Sequence, residues 1–148
     1  MEGLRMSNGM KPFPIYFDDN AEPEYIYFNP ADSDLPLRFM KTQKLIDEKV
    51  KEIKPYKVDE SGVPDADSCI KYFDEINKAV FEALDYAFGS NVSEVVFKHC
   101  GPFSVVNGNY QILNFLKGIA PEIEKITKKG RKLADTNMNK YLAKYMKR

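Results

Sequence analysis

The chain has 148 residues, 22 basic and 22 acidic side chains, a single histidine and no tryptophan. That length suits one domain with a real core, and 43% apolar with 30% charged residues argues against wholesale disorder and for a soluble, largely helical protein. The zero net charge is the sum of two opposite ends: residues 127 to 148 hold eight basic and one acidic side chain, and residues 1 to 126 hold 14 basic and 21 acidic.

Apolar runs stop at four or five residues, whereas a bilayer core demands roughly 20, so no membrane span is expected. The N-terminal "MEGLRMSNGMKPFP" lacks the apolar segment and small-residue cleavage site of a secretory signal, which implies a protein that stays where it is made. Two cysteines and one histidine are too few for a disulfide framework or a zinc site. No cofactor or metal is expected.

In chain order, "FPIYF" at 13 to 17 and "EYIYF" at 24 to 28 are aromatic and β-branched runs flanking the turn-rich "DDNAEP", the signature of a hairpin. Pro14 restricts the first run to an edge strand. Asn29-Pro30 marks a turn, Asp32, Ser33 or Asp34 is placed to cap a helix, and Pro36 suits its first turn. The stripe of Leu35, Phe39, Ile46, Val50 and Ile53 predicts that helix over about 34 to 54, stopped by Lys54-Pro55.

After the polar "YKVDESGVPDAD", a second helix is predicted over about 66 to 88, its stripe being Ile70, Phe73, Ile76, Val80, Leu84 and Ala87, with Gly89 at the left-handed stop. Asn91 and Glu94 are spaced as a capping box for a third helix of about two turns. Asn107-Gly108 suits a tight turn. A fourth helix carries Ile112, Phe115, Leu116, Ile119, Ile123 and Ile126, with a kink or two abutting helices expected at Gly118 and Pro121. The fold class is therefore mainly α (α+β): an N-terminal hairpin on about four helices, as one domain over 1–126, followed by a basic tail over 127–148.

The tail interleaves Leu133, Met138, Tyr141, Leu142, Tyr145 and Met146 with Lys140, Lys144 and Lys147 at partly helical spacing. It reads as a basic amphipathic segment that becomes helical on a partner. Lysines that release counterions beside stackable tyrosines also suit a nucleic acid, although the acidic body repels one. On the hairpin, alternation leaves Tyr16, Tyr25 and Tyr27 for a second, outward face, a surface for self-association or a protein partner.

Chemistry is harder to find. His99 and Cys100 are adjacent, which on a helix or strand turns them apart rather than pairing base with nucleophile. The acidic groups Asp18, Asp19, Glu22 and Glu24, and Asp59, Glu60, Asp65 and Asp67, match no calcium loop, and "GPFSVVNG" lacks the residues of a phosphate loop. The sequence points to a binding protein without catalytic residues.

Four segments, "FNPADSDLPLRFM", "YAFGSNVSEVVF", "NFLKGIAPEIEK" and "NKYLAKYMKR", together carry a likeness. Over about residues 27 to 148 the chain resembles the tail assembly chaperones of long-tailed phages and prophages of Gram-positive bacteria. It differs in having Ser90-Asn91-Val92 where an acidic, glycine-containing turn is expected. The resemblance implies a non-catalytic helper in the bacterial host cytoplasm that coats the tape measure protein before the tail tube forms. The expected partner-binding residues are Tyr16, Tyr25 and Tyr27 on the hairpin and Lys128, Lys129, Arg131, Lys132, Lys140, Tyr141, Lys144 and Tyr145 on the tail. A homo-oligomer is a further expectation. The alternatives are a small nucleic-acid-binding or regulatory protein using the tail, and a structural component kept in the finished phage tail.

Overall fold

The computed structural model describes residues 2–18 and 22–146, without the side chains of 43, 50, 145 and 146. Asp19 and Lys147 thus lie outside the described residues, as do the side chains of Val50, Tyr145 and Met146.

Strands β1 (Lys11–Ile15) and β2 (Glu24–Phe28) pair antiparallel, with Phe13 opposite Ile26 and Pro14 opposite Tyr25. Alternation sorts the side chains onto two faces. Phe13, Ile15, Ile26 and Phe28 turn inward to the core, and Pro12, Pro14, Tyr25 and Tyr27 turn outward to solvent. The expected hairpin is present, its first strand displaced two residues toward the N-terminus.

Helix α1 (Leu35–Glu52) follows a turn built by Asp32, whose carboxylate accepts the Asp34 N–H at 2.9 Å and a guanidinium N–H of Arg38 at 2.8 Å. Arg38 also donates from Nε to the carbonyl of Ala87 at 2.9 Å, and Thr42 donates from Oγ1 to that of Ala83 at 3.2 Å. These bonds fix α1 antiparallel to α2 (Ala66–Phe88). Asp65 caps α2 by accepting the Ser68 N–H at 3.0 Å, and Gly89 ends it at φ 71°, a conformation that glycine enters without steric cost.

The stripe predicted for α2 is buried from Ile76 through Ala87, but Ile70 and Phe73 are 62% and 52% exposed. The register explains the difference. With Arg38 on Ala87 and Thr42 on Ala83, the last residue of α1, Glu52, comes opposite Phe73, and the first turns of α2 extend past their partner helix.

Helix α3 (Ser93–Val96) is a single turn rather than two. The expected capping box is also corrected. Asn91 bonds Glu94 side chain to side chain at 2.6 Å, and the exposed N–H groups of α3 are satisfied from another helix. The Asp85 carboxylate accepts from Val92 N at 2.9 Å, Ser93 N at 2.7 Å and Ser93 Oγ at 2.9 Å. A carboxylate there also complements the positive end of the turn.

The short hairpin β3 (Val105–Val106) and β4 (Asn109–Tyr110) turns through Asn107 and Gly108, both at positive φ, as its tight turn requires. It leads into α4 (Gln111–Met146), one helix that runs through Gly118, Pro121 and Gly130. Two abutting helices are not formed. Pro121 and Lys117, four residues before it, are both exposed, so the carbonyl that loses its bond lies on the wet side, where water accepts the loss.

The core gathers around Phe88. Its ring lies 4.9 Å from Phe28 of β2, 5.2 Å from Phe39 of α1 and 5.6 Å from Phe115 of α4, mostly edge to face. Ile26, Leu35, Leu84, Val92, Val96 and Ile119 close the cluster. Replacing Phe88 by Ala removes the ring that three elements share, and chemical denaturation is expected to show a loss of about 3–5 kcal/mol.

Asp32 supplies a pH signature. The Asp34 N–H, then Arg38, hold its carboxyl below the usual carboxylate range. Its contribution is thus complete above the unfolded value of about 3.9 and disappears as the pH falls through the lower folded value. Asp32→Ala is expected to cost about 1 kcal/mol at neutral pH, with the gap to the parent narrowing below about pH 4 in urea titrations.

Candidate functional site

Three separate surfaces receive the residues singled out by sequence. The first is the outward face of the β1–β2 hairpin. The register sets Pro12 beside Tyr27 and Pro14 beside Tyr25, giving two cross-strand proline–tyrosine pairs, and both tyrosines are about half exposed. Two rings with rigid prolines form an apolar patch that loses little side-chain entropy on contact.

Tyr16 belongs elsewhere. It lies just past β1, on an open groove of about 580 Å³ between the hairpin and the start of α4, with Phe13, Ile15, Phe17, Phe115 and Ile119 among its walls. The hairpin expectation therefore divides into an outer face and a groove behind it.

The second surface is the distal part of α4. Thr127 donates from Oγ1 to the carbonyl of Pro30 at 2.9 Å, and Leu133 shares a groove with Lys11, Pro12 and Phe13. Beyond this, every described side chain from Arg131 to Lys144 is exposed. The helix leaves the body as an arm. Its inner stripe continues outward, since Leu133 follows Ile126 by two turns, and Met138, Tyr141 and Leu142 carry the line on.

Charge on the arm is concentrated in the same way. Lys128 pairs with Glu124 at 2.8 Å, one turn back, which holds Glu124 below and Lys128 above their ordinary ranges. Among the described residues, Lys129, Arg131, Lys132, Lys140 and Lys144 make no ion pair. Tyr141 is exposed on the arm, and the side chain of Tyr145 is not described.

The third surface was missed by sequence reasoning. Where α2 outruns α1, Tyr56, Tyr72 and Phe73 stack and tilt on one another at 5.3 to 6.2 Å, beside the exposed Val58, Val63 and Ile70. Asp59 and Asp65 are engaged in turn and cap hydrogen bonds, whereas Glu60, Asp67 and Asp74 make no ion pair among the described residues. The result is an acidic, aromatic tip. The available signal was the offset between a predicted stripe starting at Ile70 and an α1 stripe ending at Ile53.

His99 and Cys100 are set apart in environment. The imidazole lies edge-on to Phe17 at 4.6 Å and its Nε2 is 3.7 Å from Glu24, and Cys100 is a half-buried free thiol. Glu24 also accepts a hydrogen bond from Lys98, which holds its carboxyl below the usual range. These contacts tie the start of β2 to the end of α3. Among the described residues no group of three or more His, Cys, Asp or Glu side chains is placed to hold a metal ion, and no helix is long and apolar enough to cross a membrane.

The sequence matches no family model, and neither a curated protein nor a solved structure is detectably similar to it.

Since Tyr25 and Tyr27 contribute to a surface rather than the core, the double change Tyr25→Ser with Tyr27→Ser is expected to alter stability by no more than about 0.5 kcal/mol per site. Matched denaturant titrations of parent and variant measure this directly, and a loss of several kcal/mol would place the rings in the core.

Proposed function

We propose that the protein is a non-catalytic assembly factor, a tail assembly chaperone that works in the host cytoplasm by holding the tape measure protein through apolar and electrostatic contacts. One observation carries the reading: α4 extends from the body with an apolar stripe exposed from Leu133 through Leu142, flanked by cations without ion-pair partners. An amphipathic helix presented this way suits a long helical client with its own apolar seam. The proline–tyrosine face of the hairpin adds a second contact area.

Reversibility follows from the same surfaces. Exposed lysine contacts are screened by salt within about 8 Å at physiological ionic strength, so a client is held yet releasable when the tube polymerises. The resemblance in the four quoted segments supplies the client's identity, and the charge and stripe supply the means.

A nucleic-acid reading draws on the same free cations. It separates by experiment. In co-expression with the neighbouring tail genes, the full chain is expected to retain the tape measure protein on affinity capture, and deletion of 134–148 is expected to lose it while thermal unfolding of the core is unchanged within a few degrees. Loss of DNA or RNA retention alone, with a steep salt dependence, would instead establish the nucleic-acid reading.

A further inference from the structure

We infer that the α4 arm of one copy docks on the acidic, aromatic tip of the α1–α2 hairpin of a second copy. The two surfaces are complementary in both charge and character. From residue 59 to residue 75 the chain carries six acidic side chains and one basic, and from residue 128 to residue 148 it carries eight basic and one acidic. Each also exposes large apolar groups beside its charges: Ile70, Phe73, Val58 and Val63 at the tip, and Leu133, Met138 and Leu142 on the arm.

The geometry at the tip explains what it lacks. The α1 helix ends opposite Phe73, so the first two turns of α2 have a flank with no helix packed on it. The Tyr56–Tyr72–Phe73 cluster forms the end wall of that opening. An amphipathic helix laid there continues the helix pairing that α1 abandons, covering Ile70 and Phe73 with its own stripe. Lys140 and Lys144, one turn apart, then face Asp67 and Asp74, two turns apart on α2. Neither acid nor lysine has an ion-pair partner among the described residues of its own chain.

A second copy is the occupant because both halves of the contact are present on one chain. The contact is heterologous, arm to tip, and propagates from copy to copy. It concerns self-contact alone and needs no client, so it is tested on the purified full-length chain, where the outcome leaves the client reading untouched.

Three versions of the full chain are needed: the parent; an arm variant with Lys132→Glu, Lys140→Glu and Lys144→Glu; and a tip variant with Glu60→Lys, Asp67→Lys and Asp74→Lys. Sedimentation velocity of the parent is expected to show mass rising above the 17.0 kDa monomer with concentration and falling back in high salt. Each variant alone is expected to associate at least about tenfold more weakly. Their equimolar mixture is expected to regain association, because the acidic arm of one then meets the basic tip of the other.

Circular dichroism establishes that each variant is folded. Should the tip variant fail to fold, Asp67→Asn with Asp74→Asn replaces it, and carbodiimide cross-linking of the parent is expected to join Lys140 or Lys144 to Asp67 or Asp74 between isotopically distinct chains. A parent that stays monomeric, variants that associate as the parent does, a mixture that regains nothing, or cross-links confined within one chain would each overturn the inference.

Discussion

The ring of Phe88 touches Phe28, Phe39 and Phe115, residues that lie far from one another in the chain, and so one side chain ties the hairpin, α1 and α4 into a common core. Its position is set from outside by Gly89. A helix that continued one more turn would carry the chain away from β2, whereas the left-handed stop turns it back at once. The reversal brings Val92 and Ser93 within reach of Asp85, four residues before the stop, and the same carboxylate then satisfies the exposed amides of α3. Core, stop and cap are thus one arrangement, and each loses its purpose without the others.

Much of this was legible because the signals are local. Periods of three and four located α1, α2 and α4; Gly89 marked a stop through its own backbone freedom, and Asn107-Gly108 a turn for the same reason. What escaped depends on partners distant in the chain. Asn91 and Glu94 have the spacing of a capping box, but Asp85 takes the amides because the fold puts it closer. Ile70 and Phe73 continue a stripe that is apolar in sequence, yet burial depends on how far α1 extends beside them. Pro121 reads as a break, and only its wet-facing position lets the helix run on. The hairpin tyrosines were identified as outward from alternation alone. That Tyr16 belongs to a groove beside α4 needed the third dimension.

The uneven distribution of charge along the chain becomes, in space, a division of labour between body and arm. The body carries its excess acid mostly on loops, caps and the far end of α2, and the arm holds cations along a helix that projects beyond the last contact with Pro30 and Ala31. Such a separation leaves the core indifferent to the surface chemistry, because the buried cluster contains no charged group. Affinity at the arm or the tip can be retuned by exchanging exposed residues without reopening the packing around Phe88.

The prolines of β1 carry a consequence for how this molecule meets others. In an antiparallel pair, alternate residues direct their amides toward the partner strand and the rest direct theirs away. Pro12 and Pro14 have no N–H to give, so the ladder to β2 draws on Lys11, Phe13 and Ile15, and the free side of β1 is left without donors over that stretch. A passing extended peptide, or the same strand of another molecule, finds no amide row there to zip against. Runaway stacking into fibrils is closed off along that border even in a cell crowded with half-built particles, and the neighbouring rings remain free to be recognised by shape.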